Sequence, residues 1–125
     1  MKPLVWTAAA ALLAVPAPAN AMDVASFIDR VHALQRLGPF ALLSLDFYRL
    51  KHLVEADGDS LKAEYALAKA EHRPTLFCPP QADKPRVSKD EFLAQLDAVP
   101  ADQRATTDTK DVLRTLLERK YPCPA

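Results

Sequence analysis

FALLSLDFYRLKHLVEADGDSLKAEYALAKAEH, residues 40–72, decides the fold. Leu43, Phe47, Leu50, Val54, Gly58, Leu61, Tyr65 and Ala68 follow one another at steps of three and four. That repeat keeps side chains on one face of an α-helix. The stripe passes through Gly58 without losing phase, so the spacing predicts one helix over about 40–72, roughly 50 Å long at 1.5 Å per residue. Gly58 then lies on the packing face, where a neighbouring backbone can come close. The rival reading is two helices joined by a turn at Asp57-Gly58-Asp59, because Gly costs about 1 kcal/mol in a helix interior and Asp-Gly is a strong turn signal.

Outward from this stretch the chain reads as further helices. Asp23 is a plausible N-cap for a helix to about Leu37, with Val24, Phe27, Ile28, Val31, Leu34 and Leu37 on one face. Gly38-Pro39 ends it, and Pro39 fits the first turn of the next helix. Pro74 stops the long helix. Four prolines and no periodicity make residues 73–87 an ordered strap. Ser88 and Glu91 form a capping box opening a short helix, with Phe92, Leu93, Leu96 and Val99 inward and Pro100 closing it. A last helix runs from Thr107 or Asp108 to about Lys120, burying Val112, Leu113, Leu116, Leu117 and Tyr121. The composition, rich in Ala, Leu, Lys, Glu and Arg with only two Gly, suits an all-α bundle of about four helices.

The first 21 residues read differently. Lys2 precedes an apolar run, Leu4 to Val15, and Ala19-Asn20-Ala21 fits the small-x-small pattern of signal peptidase. The run is shorter than the roughly 20 residues a spanning helix needs. Cleavage between Ala21 and Met22 would leave 104 residues forming one domain, 22–125, in the periplasm. That part has 15 basic and 16 acidic residues in alternation, which argues against a nucleic-acid partner. It has no second segment of membrane length, so the mature form is expected not to be membrane-embedded. Its only cysteines, Cys78 and Cys123, allow one intramolecular disulfide in an oxidising compartment.

Catalytic and metal signatures are weak. His32, His52 and His72 are spaced by 20 residues, and along a continuous helix His52 and His72 are about 30 Å apart. No HExxH or His-x-x-x-His pair occurs. Asp57-Gly58-Asp59 has Leu61, Lys62 and Ala68 where a calcium loop would need acidic or amide side chains, Gly and Glu. Ser44, Ser60 and Ser88 lack a nucleophile-elbow context. Asp90-Glu91 and Asp108/Asp111 sit at helix starts, where the helix dipole accounts for them. The reading is a non-enzymatic domain with no cofactor and no metal, acting on a protein partner. A short chain with a long helix leaves apolar faces unburied, so a homodimer is a reasonable inference.

Leu76-Phe77-Cys78-Pro79-Pro80, Val87-Ser88-Lys89-Asp90-Glu91-Phe92-Leu93, Val99-Pro100 and Leu113 to Tyr121 with Pro122-Cys123 together resemble the Tai/Rap family. These are periplasmic immunity proteins against cell-wall amidase effectors of the type VI secretion system. The resemblance covers about 50 of the 104 residues. It implies an exported all-α domain with a Cys78–Cys123 bridge, dimerisation, and inhibition by plugging a partner's active site. The N-terminal half departs from the family: the Ala/Lys/Glu-rich helix replaces a Tyr/Gly-containing one, so no interface residue carries over. The strap from Arg73 to Arg86, preorganised by the bridge, is the candidate contact surface. The alternative is a structural or stress-related periplasmic protein of the same fold with no toxin partner.

Overall fold

The computed structural model describes residues 22–80 and 86–124. The predicted leader, 1–21, and the middle of the strap, 81–85, lie outside the described residues. Four α-helices make the fold: α1 Val24–Arg36, α2 Leu45–Ala70, α3 Lys89–Asp97 and α4 Thr109–Lys120. Two 3₁₀ segments, Gly38–Leu43 and Ala101–Gln103, join them. No strand occurs among the described residues beyond an isolated antiparallel bridge between Asp23 and Asp108. The all-α bundle read from the sequence is the observed architecture.

Helix α1 begins where its cap predicts. The Asp23 carboxylate accepts from the Ser26 backbone N–H at 2.9 Å and from its hydroxyl at 2.8 Å, which satisfies a donor the first turn leaves open. Those bonds hold the Asp23 carboxyl below its ordinary pKa. The helix ends at Gly38, whose φ of +58° places it in the left-handed region that only Gly occupies without strain.

Helix α2 is continuous through Gly58, as its phase predicts. Its start is five residues later than expected. Ser44 holds an extended backbone and its hydroxyl accepts from Asp46 N–H at 3.2 Å, so it is the N-cap. Gly38-Pro39 opens a tight 3₁₀ segment instead of the long helix. Twenty-six residues make α2 about 39 Å long rather than 50 Å. It ends at Ala70 with His72 in the left-handed region at φ 55°. Arg73 N–H donates to Ala68 O at 2.8 Å and His72 N–H to Lys69 O at 3.2 Å, the two bonds of a Schellman end.

The expectation that a backbone approaches Gly58 is corrected: nothing lies within 4 Å of where a Cβ would stand. Gly58 faces open space. Gly58→Ala should therefore add about 0.5–1 kcal/mol of stability, through helix propensity, without a steric cost. Urea denaturation of the pair of proteins checks this, and a loss of stability would contradict it.

Helix α4 is the centre of the bundle. Both α2 and α3 pack on it, and α1 packs on α2. Its Val112, Leu113, Leu116 and Leu117 share one core with Val24, Phe27 and Ile28 of α1, Leu50, Leu53 and Leu61 of α2, and Phe92 and Leu96 of α3. Phe27 and Phe92 meet edge to face at 5.8 Å. The expected inward residues Leu93, Val99 and Tyr121 pack half-buried at its edge, whereas Leu37 and Leu43 are exposed.

The loops are tied by backbone bonds. Thr109 N–H donates to Met22 O at 3.0 Å, Val24 N–H to Thr107 O at 2.8 Å and Ala25 N–H to Arg104 O at 3.0 Å. The Arg104 guanidinium donates to Val99 O at 2.9 Å and Asp97 O at 3.0 Å, closing the carbonyl end of α3 with a cation. Ser88 caps α3 through the Glu91 N–H at 3.1 Å, and the Glu91 carboxylate bonds Lys120 Nζ at 2.9 Å.

Candidate functional site

A groove of about 1080 Å³ opens between α3 and the layer formed by α1, the Gly38–Leu43 segment and α2. Helix α1 contributes Phe27, Val31 and Leu34 to one wall. Helix α2 contributes Phe47, Leu50, Val54, Gly58 and Leu61, and α3 contributes Phe92 and Leu93 opposite. Phe77 of the strap and Leu113 and Leu117 of α4 complete the lining. Several of these are core side chains, so the groove is a notch into the core with a mainly apolar lining, the character expected of a binding site. Its polar rim is confined to a few side chains. Along α2 it carries Lys51, Glu55, Asp59 and Lys62, and at the start of α3, Ser88 and Lys89.

Beside the groove stands an apolar ridge. Phe40 is 69% exposed, Leu43 81% and Leu45 74%, with Leu37, Leu42 and Tyr48 also exposed. Scattered exposed leucines need no explanation, but six large apolar side chains within twelve residues form a patch. Gly38, in its left-handed turn, and Ser44, the α2 cap, bracket the 3₁₀ segment that carries Phe40, Leu42 and Leu43. Sequence reasoning missed it because Leu43 fits the phase of the long helix. The signal available was Ser44, an N-cap residue type, followed by Asp46 in the first turn.

The strap and bridge are where the cysteine count places them. Cys78 and Cys123 form a disulfide with Cα atoms 4.8 Å apart. Cys78 N–H donates to Tyr121 O at 2.8 Å, and the Tyr121 hydroxyl accepts from Arg86 N–H at 3.1 Å. Phe77 is buried and stacks on Tyr65 at 5.4 Å. Of the strap residues proposed as a contact surface, 81–85 lie outside those described. Leu76 is its large exposed apolar side chain.

The histidines do not converge. His32 is exposed on α1, His52 is exposed on α2 with Nδ1 3.4 Å from Glu55, and His72 is exposed at the end of α2. Among the described residues no three His, Cys, Asp or Glu side chains come together, and no helix is long and apolar enough to cross a membrane.

One polar pair is buried. Asp57, 7% exposed, accepts a hydrogen bond at 2.8 Å from the hydroxyl of Thr109, 1% exposed. It pins the middle of α2 to the first turn of α4. Burial raises the Asp57 carboxyl above its ordinary pKa, against the pull of the Thr109 hydroxyl and Lys110. The folded chain thus holds this proton more tightly than the unfolded chain. Ionised Asp57 weighs against folding at neutral pH, and that penalty fades as pH falls toward 3.8. Glu64 works in the opposite sense. Its hydrogen bond from Lys110 at 2.6 Å, with Arg114 at 3.1 Å, lowers its pKa, so its contribution is present above 4.5 and lost below.

Asp57→Asn isolates the first effect, since the amide oxygen can still accept from Thr109. The stability of this variant relative to wild type should be most favourable at pH 7 and decline toward pH 4. Chemical denaturation across that range checks it, and a flat difference would show that Asp57 has no raised pKa.

No known family model, curated protein or solved structure matches this chain.

Proposed function

We propose that this chain is an exported, periplasmic protein-binding domain of the immunity type, which blocks a type VI secretion cell-wall amidase and has no catalysis of its own. The observation that carries the reading is the ridge Phe40–Leu45 beside a mainly apolar groove, an apolar surface that a free monomer leaves in water. Apolar side chains exposed in this way release water from their surface when a partner covers them. The residues behind the family resemblance also form one connected unit. The Phe77-Cys78 strap meets Tyr121 and Cys123, and the Ser88 cap opens α3 beside them. A disulfide favours an oxidising compartment, in keeping with export.

Affinity capture on the purified, oxidised protein from the organism's secreted and periplasmic proteins tests the reading. The expected capture is a peptidoglycan amidase whose activity is blocked at equal molar ratio. Leu43→Asp should weaken that capture at least ten-fold while leaving the melting temperature within about 4 °C, because Leu43 is 81% exposed and surface changes stay within about 0.5 kcal/mol. Amidase activity unaffected by excess protein would remove the proposal.

A further inference from the structure

The groove has dimensions and a charge pattern that select among occupants. Along α2 its lining runs from Phe47 to Lys62, fifteen steps or about 22 Å. An α-helix of about four turns spans that length. Gly58, toward the Lys62 end, keeps the wall flat: no atom lies within 4 Å of where its Cβ would stand.

The α2 lip reads Lys51, Glu55, Asp59, Lys62, spaced by four, four and three residues along one face. Among the described residues these four make one ion pair with each other, Lys51–Glu55 at a loose 3.9 Å, and Glu55 also faces His52 Nδ1 at 3.4 Å. A two-fold pairing of α2 lips would face like with like. An antiparallel arrangement sets Lys51 against Lys62 and Glu55 against Asp59, and a parallel one sets each charge against itself. Lip-to-lip pairing of two copies is therefore disfavoured. It complements a foreign helix carrying acidic, basic, basic and acidic side chains along one edge.

We infer that the groove is a receptor for an amphipathic helix of another protein. That helix has an apolar stripe over about four turns and an acidic–basic–basic–acidic edge lying against the α2 lip. The apolar stripe supplies affinity and the edge supplies choice of partner. The inference rests on the reading that this chain works by binding a protein, and it names the partner's chemistry at the groove.

The test uses the purified, oxidised protein and two synthetic helical peptides. Both carry leucines at i, i+3, i+4, i+7, i+11 and i+14, the length of the groove. One has the edge Glu-Lys-Lys-Glu at spacings of four, four and three, and the other has Lys-Glu-Glu-Lys. Fluorescence anisotropy should show saturable binding of the first, at least ten-fold tighter than the second, the gap narrowing as salt rises. Gly58→Leu places a side chain in the groove where nothing opposes it. It should cut that binding at least ten-fold with an unchanged or raised melting temperature. Exchanging the lip charges (Lys51→Glu, Glu55→Lys, Asp59→Lys, Lys62→Glu) should invert the preference. The inference is overturned by equal binding of the two peptides, by no binding of either, or by binding that Gly58→Leu leaves intact. It is also overturned if the groove takes palmitate or a second copy of the chain but not the first peptide. Loss of amidase inhibition with peptide binding intact would instead count against the proposed function alone.

Discussion

Replacing Cys78 and Cys123 together by serine should lower the stability of the folded chain by about 4 kcal/mol. The bridge closes a loop across a sequence separation of 45, and the loss of loop entropy in the unfolded chain is worth about that much at 25 °C. In a domain this small, where burial leaves little surplus, it is a large share of a total of about 5–15 kcal/mol. The folded structure should change little. Cys78 N–H still has Tyr121 O, Phe77 still has Tyr65, and the Tyr121 hydroxyl still has Arg86. The melting temperature should fall by about 15–30 °C, with helical circular dichroism at low temperature retained. Partner affinity should fall too, because Phe77 is part of the groove lining and its strap becomes freer to move. Unchanged melting and unchanged binding would show that the bridge constrains neither the unfolded chain nor the strap.

Leu116→Ala is the second large effect. Leu116 is 1% exposed, in the middle of α4, and belongs to the core that all four helices share. It does not line the groove, so no open space adjoins it to soften the loss. Removing its branched end should cost about 2–5 kcal/mol from lost burial and the cavity left behind. Leu43→Ala, the same chemical change on the 81%-exposed ridge, should leave stability within about 0.5 kcal/mol. Urea unfolding of the two variants side by side measures the contrast. Similar losses in both would mean that the ridge is packed in solution and α4 is not the centre.

Helix phase made most of the bundle legible. The capped starts at Asp23 and Ser88, the stop at Gly38, the unbroken passage through Gly58 and the Cys78–Cys123 pairing were all readable, because each depends on a few neighbouring residues or a single possible partner. The candidate site was not, because it depends on where segments fail to meet. Leu43 carries the right phase but lies before a cap, so an apolar residue assigned to the core stands in water. Asp57 shows the converse. The buried face of α2 passes through Leu50, Leu53, Asp57, Leu61 and Ala68, a stripe of helical period with a carboxylate in its middle. Reading the neighbouring track through Val54 and Gly58 hid it. A polar residue inside an apolar stripe implies a buried partner, but nothing local identifies Thr109, 52 positions away.

The position of α4 in the chain has a consequence for how the protein is made. The helix on which both α2 and α3 pack is made after both of them, and Cys123 follows it. While residues 109–124 are still in the ribosome, α2 and α3 have no shared partner, Asp57 has no hydroxyl to bind, and the cysteine at 78 has nothing to oxidise with. A growing chain can form local helical turns but cannot condense its core. Such a chain stays without a shared core until α4 has been made. A product truncated before α4 lacks both the centre of its core and the second half of its covalent clasp.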